Sequence, residues 1–203
     1  MRALRRRFTL VVVAAGLVAL AVLAWPAGAA GPWRAQIVDA ETGQPLEGVV
    51  VLARWDEKTA GWPHPDRRFH DVDEMLSDTD GRIVIPARDL SRNNRLRAIV
   101  GPDIAMFKAG YGRWRFRADG PRPLLEEPSV LERRAKQGWQ HFATDGVVVE
   151  LPLARTRDER LFVLESAMPA GDVPAQKFPR MRAAYDAERV RLGLTPLRRE
   201  NRQ

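Results

Sequence analysis

His64, His70, Asp71 and Asp73 come nearest, by type and spacing, to a metal site. They share the stretch 64–74 with Asp66 and Glu74. Imidazole nitrogen with carboxylate oxygen suits a borderline divalent cation. The spacing matches no closed site, and a solvated polar loop uses the same residues, so these four are weak candidates. Asp78-Thr79-Asp80-Gly81 has the opening of a calcium loop. Such a loop ends in a glutamate at its twelfth position. Asp89 stands there instead, and Arg82–Pro86 reads as a strand, so a tight turn is expected. The sequence contains no cysteine, which excludes a disulfide framework, a thiolate zinc site and a cysteine nucleophile. It contains no G-x-S-x-G, phosphate-binding loop or dinucleotide fingerprint. Ser129 and Ser166 have no evident base. No cofactor is expected.

Two further groups suggest binding. Arg113, Trp114, Arg115, Phe116 and Arg117 interleave cations and rings directly after Gly112. Rings stack on sugars or bases and guanidiniums attract anions, so this run is the leading candidate surface for an envelope glycan or a protein. The same alternation describes a strand with Trp114 and Phe116 inward and the arginines solvated. Near the C-terminus, Arg180, Arg182, Arg189 and Arg191 lie beside Asp186 and Glu188. That helix either docks on a membrane or partner, or is a solvated face laced by pairs such as Arg182–Asp186 and Asp186–Arg189.

The elements that position these groups begin after an export signal. Arg2, Arg5, Arg6 and Arg7 precede 17 uncharged, predominantly apolar residues, Phe8–Ala24, and then Trp25-Pro26-Ala27-Gly28-Ala29. A positive start, an apolar run and a small-x-small exit make a secretory signal peptide, cleaved after Ala29. Left uncleaved, residues 8–24 form an inner-membrane anchor at the short end of what spans a bilayer. Either way the body is extracytoplasmic, in the periplasm or secreted. No cysteine is available for lipidation. The chain of 203 residues carries +7, but four of those charges belong to the leader and residues 177–203 hold eight basic against three acidic residues. Residues 31–176 hold 21 basic against 23 acidic residues, so the body offers no nucleic-acid footprint. Arginine outnumbers lysine 29 to 4, which is read as codon bias.

The body alternates with a two-residue period. Trp33, Ala35 and Ile37 face one side, and Val49, Val51, Ala53 and Trp55 repeat the pattern, a hairpin-like pair with a turn at Gly43 and Pro45. Residues 56–74 read as a long loop. Short strands follow at 75–78, 82–86, 96–100 and 104–109. Residues 111–145 interrupt the rhythm, with a helix signalled by Ser129 and Glu132 as a capping box and by Leu131, Ala135, Trp139 and Phe142 as a stripe. Val147, Val149, Leu151 and Leu153 make a strong last strand. Thr156 and Glu159 open a helix to about Met168 that buries Leu161, Leu164 and Met168. A proline-rich linker, 169–179, precedes a helix over 180–192 closed by Gly193. The tail 195–203 is polar and expected to fray.

Three blocks in this pattern resemble the carboxypeptidase regulatory-like domain. Ile37–Ala53 matches its V-x-D, T-G-x-P-L and G-V-x-V run. Ser77–Ile85 is similar to its T-D-x-G-x-I-x-I hairpin, and Ile104–Tyr111 to its strand ending in K-x-G-Y. The resemblance covers 33–153 and implies a transthyretin-like (prealbumin-like) antiparallel β-sandwich of about seven strands. It implies a module for folding, docking or binding, without a peptidase: no H-x-x-E occurs. Intradiol dioxygenases share that sandwich and hold iron with two tyrosines and two histidines. Here the two tyrosines, Tyr111 and Tyr185, have no such spacing.

The expected organisation is a leader or anchor over 1–29, a sandwich over 33–153 with a helical insertion at 111–145, and a helical extension over 154–203. The expected function is non-catalytic binding or scaffolding in the bacterial cell envelope. The alternatives are a small metal-dependent enzyme using the 64–74 loop and an accessory subunit docking through its C-terminal helix.

Overall fold

The computed structural model describes residues 29–60, 66–117, 133, 136, 138–143, 146–166 and 172–197. The leader up to residue 28, His64, the Ser129 capping box and Met168 lie outside them. The described chain is mainly β. Its strands are β1 (Ala29–Ala30), β2 (Trp33–Asp39), β3 (Val50–Thr59), β4 (Asp66–Leu76), β5 (Arg82–Ile85), β6 (Arg88–Asp89), β7 (Arg97–Phe107), β8 (Arg115–Phe116) and β9 (Val147–Leu151). Helix α1 (Arg157–Ser166), a 3-10 turn (Ala175–Lys177) and helix α2 (Pro179–Arg191) follow.

Seven of the strands form two sheets, ordered β5-β2-β9-β8 and β4-β3-β7; β1 and β6 pair separately. Inward positions of both sheets meet in one core. Trp33, Ala35 and Ile37 of β2 face Val51, Ala53 and Trp55 of β3, joined by Ile83, Ile85, Met106, Val149 and Leu151. The Trp33 and Trp55 rings stand 5.5 Å apart.

Four expectations need correction. The segments around Ile37 and Val51 are not a hairpin: β2 pairs with β5 and β9, while β3 pairs with β4 and β7. Their matching alternation reflects two sheets burying against each other, not two neighbours in one sheet. The sandwich is also not wholly antiparallel, because β2 runs parallel to β9 from Ala35 opposite Val147 to Asp39 opposite Leu151. In addition, most of 56–74 is not a loop. β3 runs on to Thr59 and β4 is eleven residues long. Similarly, 97–107 forms one strand, passing through Gly101-Pro102 opposite a bulge at Trp55/Asp56.

The central strand of the three-stranded sheet, β3, is buried on both faces. Val50 and Leu52 of β3, Val72 of β4 and Phe107 of β7 point away from the sandwich core. Val163 and Leu164 of α1 and Phe178, Met181 and Tyr185 of α2 cover them. Tyr185 lies against Phe107 with ring centroids 4.4 Å apart. A strand buried on both faces explains the unbroken apolar run Val49–Ala53. The Thr156/Glu159 and Gly193 signals act as expected, although α1 buries Val163 and Leu164 with Leu161 only partly buried. The Glu159 amide donates to Thr156 Oγ1 at 3.2 Å, and the Thr156 amide donates to Glu159 Oε2 at 3.1 Å, a reciprocal capping box. Helix α2 ends at Gly193, whose φ of 76° lets the Gly193 and Leu194 amides return to the Val190 and Arg189 carbonyls. The tail does not simply fray at 195, since Leu194 and Leu197 pack on the second cluster.

Candidate functional site

The carboxylates of β4 are engaged within the fold. Asp71 accepts from Arg88 and from Lys177, both at 3.1 Å. Asp73 accepts from Arg88 at 2.8 Å and from the Trp55 indole at 3.0 Å, while the Arg88 guanidinium lies over the Trp55 ring. Glu74 accepts from the Arg180 and Met181 amides at 3.1 and 2.8 Å. It thus caps α2, whose own N-cap residue, Phe178, offers no side-chain acceptor. His70 is exposed on this strand. Among the described residues no three acidic or histidine side chains are grouped to hold a metal ion. Burial pushes the Asp71 carboxyl up. The hydrogen bonds from Lys177, the Val72 amide and Arg88, with the Lys177 charge, outweigh it and hold Asp71 below its ordinary value.

The Asp78 carboxylate is occupied by its own turn, accepting from the amides of Asp80 and Arg82 at 3.0 and 2.7 Å. This turn and the two other blocks of the family resemblance meet at one end of the sandwich. Asp39 accepts from the Thr42 and Glu41 amides, both at 2.8 Å, and from the Tyr111 hydroxyl at 3.1 Å. The Thr42 amide above all holds Asp39 below the usual carboxylate range, against the upward push of burial. Ser77, buried, donates to the Leu46 carbonyl at 2.6 Å and accepts from the Val49 amide at 2.9 Å. The Ile37 amide donates to the Gly81 carbonyl at 2.7 Å. Gly81 has φ 71°, and a Cβ there would run into the Ile37 carbonyl oxygen. The residues of the three blocks therefore act here as a clasp between turns.

The aromatic–basic run divides as a strand would. Trp114 and Phe116 turn inward and stack edge-on with each other at 5.3 Å. Trp139 and Phe142, from the helical residues 138–143, complete the aromatic group. The Trp114 indole donates to the Ile104 carbonyl at 3.3 Å. Gly138 is needed there, since a Cβ would overlap the Phe116 ring. On the outer side Arg115 pairs with Glu150 at 2.6 Å, Arg117 approaches it at 3.8 Å, and Arg113 is exposed. The rings thus pack against one another, with Trp139 partly exposed at the edge of the group.

The last helix has a similar division. Met181, Tyr185 and Glu188 are buried. Glu188 takes Arg160 of α1 at 2.6 Å, Asp186 accepts from the Leu197 amide, and Arg189 donates to the Thr195 carbonyl. These contacts tie the extension together in place of the expected Asp186–Arg189 lacing.

Among the described residues, part of the outer face of the four-stranded sheet remains open. Arg34 and Gln36 of β2, Arg82 and Val84 of β5, and Val148 of β9 point outward there, beside Gly146. They line an open trough of about 380 Å³. Val84 is 55% exposed. Comparison with family models, with curated proteins and with solved structures finds no match.

Proposed function

We propose that the chain is a non-catalytic binding or scaffolding module of the bacterial cell envelope, exported by residues 1–29 and built on a transthyretin-like sandwich. One observation carries this reading. Among the described residues, part of the four-stranded sheet's outer face is left uncovered, lined by Arg34, Gln36, Arg82, Val84 and Val148. The carboxylates of the 66–74 segment support it as well, because they serve Arg88, Lys177, Trp55 and the start of α2. Seven strands in a four-plus-three arrangement support the transthyretin-like assignment. The leader's composition supports export.

The test places a photo-crosslinking residue at Val84, and separately at the exposed Leu96 just before β7, in the full-length protein in living cells. Discrete crosslinks from position 84, together with protease access in spheroplasts, are expected. Loss of protease access would overturn the envelope location. A stoichiometric divalent ion in the purified protein, lost in His70→Ala, would favour the metal-enzyme alternative.

A further inference from the structure

We propose that the trough on the four-stranded sheet holds an extended acidic segment of a partner protein, with carboxylates two residues apart. This rests on the reading of the chain as a binding module. Arg34 lies opposite Val84, and Gln36 lies opposite Arg82. Arg34 and Arg82 are therefore diagonal neighbours on an antiparallel ladder, roughly 7–8 Å apart at the backbone. Arg34 makes no ion pair or side-chain hydrogen bond among the described residues, and Arg82 has only Asp80 at 3.5 Å. Two cations of one sign side by side repel each other unless an anion lies between or above them.

The shape selects a chain over a compact ligand. The trough crosses β5, β2 and the start of β9 and is open along its length. A compact small molecule asks for a cleft that surrounds most of its surface. Side chains i and i+2 of an extended strand lie on one face at about 6.6–6.8 Å, which matches the arginine diagonal. Val84 and Val148 flank the cations and suit an apolar side chain at i+4. A glycan is disfavoured because the trough is lined without an aromatic ring; Trp114, Phe116 and Trp139 are packed against one another elsewhere. The trough lies on the face of the sheet, and Arg34 and Gln36 belong to its inner strand β2, so recognition there is by side chains; pairing along the free edge of β5 would not engage Arg34.

The probe is a dye-labelled, end-capped peptide, Ser-Glu-Ser-Glu-Ser-Val-Ser, titrated with the full-length protein and read by fluorescence anisotropy. Saturable binding is expected. It should weaken at least tenfold with glutamine in place of glutamate, with the two glutamates made adjacent, and in the Arg34→Gln/Arg82→Gln variant. Arg113→Gln should bind as the wild type does, since Arg113 is exposed outside the trough. An unchanged urea midpoint would show that the variants are folded. Equal binding of the glutamine peptide, or full binding by the double variant, would overturn the proposal. So would Arg34-dependent binding to 3:1 phosphatidylcholine–phosphatidylglycerol vesicles without peptide binding, which would assign the face to a lipid surface. Crosslinks from Val84 without peptide binding would remove only this ligand class. Peptide binding without crosslinks would instead count against the broader reading.

Discussion

The outer faces of the two sheets begin alike, as alternating strands over a shared core, and end differently. On β4-β3-β7 the outward positions are Val50, Leu52, Val72 and Phe107, and α1 and α2 cover them. On β5-β2-β9-β8 the outward positions include Arg34, Gln36, Arg82 and Glu150, and the arginines stay in solvent. Each large apolar side chain left in water forgoes about 1.5–3 kcal/mol, so the first face requires a cover and the second does not. Charge reinforces the cover. Arg54–Asp172, Lys177–Asp71, Arg155–Glu41 and the Glu74 cap of α2 all join the extension to the sandwich.

The largest test of this contrast removes part of the cover. Tyr185→Ala should cost about 3–5 kcal/mol in urea unfolding, as expected for truncating a large buried ring. A cost below about 1 kcal/mol would mean that the helices lie on the sheet without stabilising it. A smaller effect should appear with acid. Asp71 has a lower pKa folded than unfolded. Its bonds therefore stabilise the covered state fully above the ordinary carboxylate value, and that contribution is lost as pH falls through the lowered one. Amides of α2 should then lose exchange protection as pH falls below the ordinary carboxylate range, after correction for intrinsic rates, before those of β2 do. Lys177→Met should blunt this difference. The smallest effect belongs to the open face. Val84→Thr should shift stability by no more than about 0.5 kcal/mol, and a larger loss would mean that this face is covered after all.

The legibility of the sequence follows the same division. β2, β5 and β9 were readable because one side of each is apolar and enters a single core. β4 was not, because its outward residues are charges that find partners only in space: Arg67 meets Asp56 and Asp103, and Asp71 and Asp73 meet Arg88. The bulge at Trp55/Asp56 further breaks the alternation of β3. The metal candidates Asp71 and Asp73 looked available because Arg88 and Lys177 lie far away along the chain. Arg34 passed unnoticed for the converse reason. One arginine on an alternating strand is ordinary, and only the pairing of β2 with β5 brings Arg82 beside it. The outward alternation of both strands was the available signal, but it carried no information about which strands were neighbours.

The parallel pairing of β2 with β9 also governs the order in which the chain can be completed. Ala35 must wait for Val147, and Asp39 for Leu151. β3, β4 and β7 instead lie between those positions and can pair with one another as soon as Phe107 has appeared. Emerging from a ribosome or a pore, the chain can assemble its three-stranded sheet early. Its four-stranded sheet stays divided, with β2 and β5 waiting for the strand that will join them to β8. Loop closure over so long a separation is entropically costly and slow. The face carrying Arg34 and Val148 therefore exists only in a chain whose sandwich is finished, so any partner that reads both residues also reads completion.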